Sequence, residues 1–589
     1  MLKQIALVFG LVIGVSVYFQ FSTTKGRIVE TNSGSVQGIV SSSRDGRKFD
    51  EWLGIPYAKP PVGNLRFASP VPVDKWNGVR DGSKYGYRCV QMEFFSLFIF
   101  GKEDCLTLSV HAPQHDSNKL LPVMLYIHGG GFAAMASDDY RPGFFMDEDI
   151  ILVVINYRLG LFGFMNTGDE LIRGNMGLKD QALAIKWTKN NIKYFGGNPD
   201  QITIFGESAG GASVHYQLLS PMTKGLFQRA ISQSGVAINP WAIYSTDAAK
   251  NHTMQLAKKV KCTAKDSKKL VECLRRRSSV QLMAAHTDDV LTVSVFYPHK
   301  SGTLFRPSVE AVNDSETFIA QHPLGIVENG LAHKVPWMAG VTADEGLLAS
   351  AGYYSSPEWI DSYESEWEQN TLRAFGITSE HPNATEISNR IRQLYFPPNI
   401  TDVPAKLPQF TKMLSDSLFN FPMHHMISKQ KKFSPVYPYV LSRQGGFSLS
   451  FIYLSAQQLS NRSVRMKFVT FVEKLIRNGF KEIVLGRPRP VDGVAHGDDI
   501  ILMFPLPLVF ELSKDKTGDL QFSKDLIKLW VSFAKNESMS FRGVAFPPIS
   551  SDSDGPLKYM DLTESPAMID EPFLGRMTHL DSLQMLNQY

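Results

Sequence analysis

Ile202-Thr203-Ile204-Phe205-Gly206-Glu207-Ser208-Ala209-Gly210-Gly211 carries the reading of this chain. An apolar, β-branched run stops at Gly206, and small residues then open an expected helix from Ala209 to Leu219. The pattern is G-x-S-x-G at a strand-to-helix turn. Such a turn strains the backbone at the serine and tolerates only small neighbours, here Gly206, Ala209, Gly210 and Gly211. In return a hydroxyl stands at a strand tip, with a helix N-terminus behind it that favours developing negative charge. G-x-S-x-G alone is a weak signal. The strand before it and the helix after it make Ser208 a candidate nucleophile.

Outward from this turn, strands and helices alternate. Val123-Met124-Leu125-Tyr126-Ile127 and Ile150 to Ile155 are continuous apolar runs, as expected of strands buried on both faces of a mostly parallel sheet. Asp180 to Phe195 carries Leu183, Ile185, Trp187 and Ile192 and ends at Gly196-Gly197, which predicts a helix with a Gly stop. Phe227 to Ser232 and Val335 to Val341 are expected as further strands. Before them, Arg27 to Val40 predicts a small antiparallel hairpin turning at Gly34. From Asn239 to Ala332 and from Pro357 to Lys432 the text is helical and less regular, as expected of insertions that shape a pocket. The class is α/β, with function at the carboxyl ends of strands.

A serine hydroxyl needs a base, an acid to orient that base, and donors for the oxyanion. His128-Gly129-Gly130-Gly131-Phe132 follows a strand directly, and its glycines leave backbone N–H groups unobstructed. With the N–H of Ala209 they would form an oxyanion hole. Past another strand end, Val341-Thr342-Ala343-Asp344-Glu345-Gly346 offers two carboxylates, and spacing does not choose between them. Late in the chain, Gly493-Val494-Ala495-His496-Gly497 holds a histidine in a small-residue loop, in the right order for nucleophile, acid and base.

Composition sets bounds. The chain has 589 residues, 43% of them hydrophobic, and a net charge of +4. No linker divides it, so length alone gives no domain count. Basic runs are no denser than Lys429 to Lys432 or Arg275 to Arg277, which argues against nucleic acid and for solvated faces. Met1-Leu2-Lys3-Gln4 followed by an apolar run from Ile5 to Phe19 is a secretory signal pattern, expected to occupy residues 1–22. The alternative is a retained anchor. No lipid anchor is expected at the C-terminus, which lacks an apolar tail. Six N-x-[ST] sequons, at Asn251, Asn313, Asn383, Asn399, Asn461 and Asn536, agree with export. Four cysteines allow three connectivities. Sequential pairing, Cys89 with Cys105 and Cys262 with Cys273, closes two short loops and suits an oxidising compartment. No cysteine or histidine spacing suits a metal, and His424-His425 are expected in a surface or packing role. No cofactor is expected.

These motifs, in this order, resemble the type-B carboxylesterases, the cholinesterase-like branch of the α/β-hydrolases. The likeness also includes Gly54-Ile55-Pro56-Tyr57-Ala58, Glu103-Asp104-Cys105-Leu106, Asn156-Tyr157-Arg158-Leu159-Gly160 and Gly174-Asn175-Met176-Gly177-Leu178-Lys179-Asp180-Gln181. It runs from about Gly34 to the C-terminal region. The resemblance implies an α/β-hydrolase fold over 23–589 with helical insertions above a gorge, and a small-molecule ester as partner. It selects Glu345 as the acid, giving a triad of Ser208, Glu345 and His496. It puts the oxyanion donors on Gly130, Gly131 and Ala209, Ser234 beside the triad, Trp241 in the acyl pocket and Glu207 at the site's border. It supports both cysteine pairs and implies structural ion pairs of Arg66 with Glu103 and Arg158 with Asp180. His215, seven residues after Ser208, is expected to pack.

Several functions remain open. The leading one is a secreted serine esterase for neutral lipophilic esters, with no stable membrane association after signal cleavage. Some relatives of this fold are adhesion proteins, but those have lost triad residues. A hormone or pheromone esterase is a third reading. Juvenile hormone esterases of arthropods typically carry Gln before the nucleophile, where this chain has Glu207. A bile-salt-type lipase is a fourth.

Overall fold

The computed structural model describes residues 24–92, 98–115, 119–292, 305–354, 356–446, 448–450, 453, 492–505, 518–551 and 555–585. The expected signal segment, Phe94, Phe95 and Asn461 lie outside these residues.

A 13-stranded sheet forms the frame. Its order runs Thr24–Thr31, Gly34–Ser42, Lys48–Pro56, Thr107–Pro113, Ile151–Ile155, Leu121–Ile127, Gly197–Glu207, Arg229–Gln233, Trp337–Thr342, Val436–Leu441, Lys558–Leu562 and Ala567–Asp570, with Val79–Asp81 beside Gly34–Ser42. From Ile151–Ile155 to Lys558–Leu562 every neighbour is parallel. The flanks are antiparallel, apart from the short strand Val79–Asp81, which runs parallel to Gly34–Ser42. The antiparallel hairpin expected near Gly34 is present and forms one end of the main sheet.

Side chains alternate across the parallel strands, and the two faces feed two cores. Val123, Leu125 and Ile127 join one cluster with Ile202, Ile204, Ala230 and Trp337. Met124, Tyr126, Phe205, Ile231 and Met338 face the other, against Leu526, Leu529 and Trp530 of the helix Asp519–Lys535. Helices cover both faces, so the strands are apolar throughout rather than amphipathic.

The elbow helix spans Ala209–Leu219, as the sequence predicts. The helix expected from Asp180 begins earlier, at Met176, and its last turn, Ile192–Phe195, tightens to 3₁₀. Gly177 conceals that start in the sequence. A Cβ there would stand 2.5 Å from the Arg158 carbonyl oxygen, so close packing demands a helix-poor residue at this point.

Register converges the strand ends. Gly206 lies opposite both Ile127 and Ser232, and Gln233 lies opposite Glu207 and Gly340. The segments that follow, 128–132, 208–211, 234–235 and 343–346, therefore leave the sheet at one edge.

Both sequential cysteine pairs are bonded, Cys89 to Cys105 and Cys262 to Cys273. Arg158 donates twice to Asp180 in a fully buried pair, at 2.8 and 2.7 Å. Arg66 grips Glu103 in the same bidentate way. The expected solvated face at Arg275–Arg277 is partly occupied: Arg275 Nε donates to the Arg66 carbonyl, and Arg66 Nη1 donates back to the Arg275 carbonyl at 2.9 Å. Asn251, Asn313, Asn383, Asn399 and Asn536 are all exposed.

Candidate active site

Ser208 sits between its strand and helix at φ 58°, ψ −122°. That is left-handed territory costing an L-residue on the order of 1–3 kcal/mol. The turn is held from both sides. Ser208 N–H donates to the Gln233 carbonyl at 2.8 Å, and Ala212 N–H donates to the Ser208 carbonyl at 2.9 Å. Gly210 lets the helix start press on the neighbouring strand, since a Cβ there would lie 2.0 Å from the Ile127 oxygen. Ser208 itself is half-exposed amid buried neighbours.

Two other non-glycine residues with positive φ flank it: Phe132 at 60° and Ser234 at 54°. All three lie at the convergent strand ends, a clustering of backbone strain typical of functional sites.

The Gly-rich loop meets the elbow backbone to backbone. A Cβ on Gly129 would approach the Glu207 carbonyl to 2.7 Å. His128 anchors the loop by stacking on Tyr157 at 4.5 Å, while the Tyr157 hydroxyl donates to the His128 carbonyl. Burial pulls the His128 pKa down to about 4, so its ring is neutral. Among the described residues, the N–H groups of Gly130, Gly131 and Ala209 donate to no protein acceptor. They are orphan donors at a helix start and its facing loop.

His496 stands in the loop before Gly497 and is buried. Its Nδ1 lies 2.6 Å from Glu345 Oε2. Glu345 Oε1 accepts from Ser234 Oγ at 2.5 Å and from Thr342 N–H at 2.8 Å. Tyr453 holds the loop by donating to the His496 carbonyl at 2.7 Å, and the Phe419 ring packs on the imidazole at 4.5 Å. Asp344 is turned away: its Oδ2 accepts from Val494 N–H at 2.9 Å.

The other edge of the imidazole faces Glu207, with Nε2 3.0 Å from Oε1. This contact is closer than the sequence reading anticipates for a residue that borders the site. Burial raises the Glu207 pKa, and Asp499 and Glu345 add to the rise against the opposing pull of His496. Burial would lower the His496 pKa, but Glu207 and Glu345 outweigh it and raise it. The pair therefore keeps a proton on the hydrogen bond between them well into the neutral range. Behind it, Asp499 accepts from Gln233 Nε2 at 2.6 Å, and Asp498 accepts from Leu449 and Ala495 N–H. Burial pushes Asp498 up to about 7 and Asp499 up to about 6.

Trp241 packs with Phe132 at 6.4 Å and Phe419 at 5.7 Å, forming an apolar wall beside the imidazole. His215 is buried, stacked on Trp337 at 5.0 Å, with Nδ1 accepting from Ala237 N–H. Among the described residues, no group of three or more His, Cys, Asp or Glu side chains is placed to hold a metal.

The arrangement is an imidazole held between two carboxylates at the convergent strand ends, where a strained elbow serine and the three orphan N–H groups also lie. A family model described as "Carboxylesterase family" matches residues 25–578. This chain belongs to the carboxylesterase family. It is a carboxylic ester hydrolase with an α/β-hydrolase fold. It is 35% identical over 517 residues to "Venom carboxylesterase-6" of Apis mellifera, covering 86% of this chain and 85% of that protein. It is 35% identical over 520 residues to "Juvenile hormone esterase" of Tribolium castaneum, covering 86% and 83%. The crystal structure of juvenile hormone esterase from Manduca sexta, with OTFP covalently attached, superposes with a TM-score of 0.77 at 23% identity, covering 96% of this chain and all of that one. That last likeness speaks for the fold.

Sequence reasoning about the esterase missed Phe419, Tyr453, Asp499 and Gln233. No motif surrounds Phe419 or Tyr453. Gln233 follows directly on the expected strand Phe227 to Ser232, and Asp499 lies two residues past the His496 motif, but neither carries a motif of its own. The expectation for His424-His425 changes. His424 is buried, its Nδ1 contacts both Glu571 oxygens at 2.8 Å, and its Nε2 lies 3.4 Å from Asp581. The pair clamps the helix Leu574–Ser582 rather than merely filling space.

Proposed function

We propose that Ser208, His496 and Glu345 work as nucleophile, base and orienting acid in an acyl-enzyme mechanism. The observation that carries this reading is the His496 imidazole, held at Nδ1 by Glu345 2.6 Å away, beside a strained elbow serine and three orphan N–H groups. In the base form Nε2 turns from Glu207 to Ser208 and takes its proton as Oγ adds to the ester carbonyl. The oxyanion receives hydrogen bonds from the N–H groups of Gly130, Gly131 and Ala209, each such donor being worth roughly 10²–10³ in rate. The carbonyl re-forms, the alcohol leaves with the proton from His496, and the acyl group stays on Ser208. Water then repeats the cycle, giving its proton to His496 and releasing the acid. Glu345 stays ionised and stabilises the imidazolium.

Residues 23–589 form one catalytic domain, preceded by a signal peptide at 1–22, and the protein is secreted and glycosylated. Two disulfides, five exposed sequons and the N-terminal apolar run support this. No helix among the described residues is long and apolar enough to cross a membrane. Substrates are neutral lipophilic esters. The wall of Trp241, Phe132 and Phe419 supports that choice, because apolar surface next to few polar groups suits such acyl chains. A specialised hormone esterase is the second reading, favoured by the likeness to the Tribolium protein and opposed by Glu207.

The test is covalent labelling with a fluorophosphonate followed by peptide mapping. One label on the Ser208 peptide is expected, absent in Ser208→Ala together with nearly all turnover. A label on any other serine would overturn the assignment.

A further inference from the structure

One helical segment changes pitch where it passes the site. The helix Val403–Ser415 runs into a π-turn, Asp416–Asn420, and resumes as the helix Phe421–Gln430. Pro422 lies four residues after Leu418 and has no N–H to give the Leu418 carbonyl. That carbonyl instead accepts from Trp241 Nε1 at 2.8 Å and Asn239 Nδ2 at 2.5 Å. The next residue, Phe419, packs on His496. At the head of the turn, Ser415 Oγ accepts at 2.8 Å from the N–H of Gly346, the residue after Glu345. Within five consecutive residues, Ser415, Leu418 and Phe419 thus touch the acid's loop, the apolar wall and the base's ring.

The turn is fixed by its own first residue. Asp416 is fully buried, and its carboxylate accepts from Tyr395 OH at 2.7 Å and Asn420 Nδ2 at 2.8 Å. It also takes both arms of Arg576, from Nε and, at 3.1 Å, from Nη2. Arg576 comes from the helix Leu574–Ser582, 160 residues along the chain. A planar guanidinium fork locks both distance and rotation of the carboxylate, which a point charge does not. π-turns are costly departures from α-geometry and concentrate at functional sites.

We propose that Arg576 and Asp416 are positioning residues for the esterase reaction: their ion pair sets the π-turn that holds Glu345, His496 and the acyl wall in mutual register. The C-terminal helix is then part of the catalytic frame although none of its atoms reaches the substrate. This inference rests on the triad reading.

The experiment separates a wrong geometry from a lost fold. Fluorophosphonate titration counts competent sites, and turnover is expressed per titrated site for Arg576→Met, Asp416→Asn, Arg576→Lys and Asp581→Asn. A purely structural pair would reduce the count and leave turnover per site untouched. Positioning predicts a near-complete count with turnover per site down at least about tenfold in Arg576→Met and Asp416→Asn, since displacing reacting groups by about 1 Å can cost 10²-fold. Arg576→Lys keeps the charge without the fork and should fall between them and the parent. The loss in kcat/KM should be larger for a hexanoate than for an acetate ester, because the wall moves with the turn. Asp581→Asn loosens the same C-terminal helix elsewhere and should lower thermal stability without changing turnover per site. Unchanged turnover per site in Arg576→Met, or an equal loss in Asp581→Asn, overturns the proposal. Should Arg576→Met give no soluble protein, Arg576→Lys and Tyr395→Phe carry the same comparison. A parent enzyme that titrates at a serine other than Ser208 would instead defeat the triad reading, whatever the variants do.

Discussion

At the scale of single residues, the two edges of the His496 imidazole face different carboxylates, and their roles separate. Glu345 accepts three hydrogen bonds and lies at Nδ1, the ring edge opposite Glu207. Replacing it with Gln removes the charge that stabilises the imidazolium and disturbs the tautomer. A fall in kcat of roughly 10³–10⁴ is expected. Asp344→Asn disturbs only a loop contact and should cost much less. A larger loss from Asp344→Asn than from Glu345→Gln, measured side by side, would mean the acid is misassigned. Glu207 acts on pH dependence. An ordinary histidine limb would lie at about 6–7. Here burial lowers the His496 pKa, while Glu207 and Glu345 together raise it by more. The proton must leave before Nε2 can serve as a base, so activity falls as pH drops through this raised value. Glu207→Gln removes one negative neighbour and should move the acid limb of kcat/KM to lower pH. A limb that stays put or moves up in that variant would show that Glu207 does not control the base.

At the scale of elements, what could be read in advance depended on whether local chemistry or tertiary contact set the structure. The elbow helix was legible because small residues, a preceding β-branched run and the fixed serine all say the same thing. The first turn of the helix Met176–Asn191 was not, because Gly177 serves the packing of Arg158 and not the helix. The π-turn was illegible for a related reason. Its cause lies partly in Pro422, but its partners Arg576 and Trp241 are far away in sequence. The motifs around Ser208, Asp344-Glu345 and His496 were legible, with only the family resemblance choosing Glu345; the groups that hold these loops were not, since Tyr453, Phe419 and Ser415 meet them only through folding. The C-terminal clamp has the same character and gives a prediction. Burial lowers the His424 pKa, but Asp581 and Glu571 outweigh it and hold it at about 9. A histidine raised on folding stabilises fully below its unfolded value, about 6.5, and loses that contribution as pH rises through the folded value. The shift is worth up to roughly 3 kcal/mol at 1.36 kcal/mol per unit. Asp581 is held well below the ordinary carboxylate range: burial would raise it, and its bonds to His424 and His425 win. Its contribution is lost in strong acid instead. Amide exchange in Leu574–Ser582, corrected for intrinsic rates, should therefore accelerate between about pH 7 and 10 in the parent but not in His424→Gln. Equal acceleration in both would rule out His424 as the titrating latch.

At the scale of the whole molecule, charge and surface argue about which esters arrive and stay. The chain carries a net charge of +4, so its overall field does not draw cations toward the sheet edge where the strand ends converge. The loop closed by Cys89 and Cys105 contains four phenylalanines and no tryptophan, and tryptophan is the best aromatic face for a quaternary ammonium. Of its described phenylalanines, Phe98 is exposed and Phe100 half-buried. Among the described residues, Glu207 is the carboxylate paired with His496 Nε2, and its charge is shared with the proton there, so it offers a cation little net attraction. Each of these features removes one source of choline affinity, whereas the Trp241, Phe132 and Phe419 wall gives neutral acyl chains a dry surface. For one shared butyryl group, kcat/KM should then be higher with a neutral alcohol than with choline. Salt discriminates further. An electrostatically steered cation loses kcat/KM steeply as ionic strength rises, because the Debye length falls from about 30 Å at 0.01 M to about 8 Å at 0.15 M. For this esterase the choline ester should show no such loss across that range, and the neutral ester should be flat as well. A choline ester that is both preferred and weakened by salt would mean that the site carries a net attraction for cations, and the neutral-ester reading would fall with it.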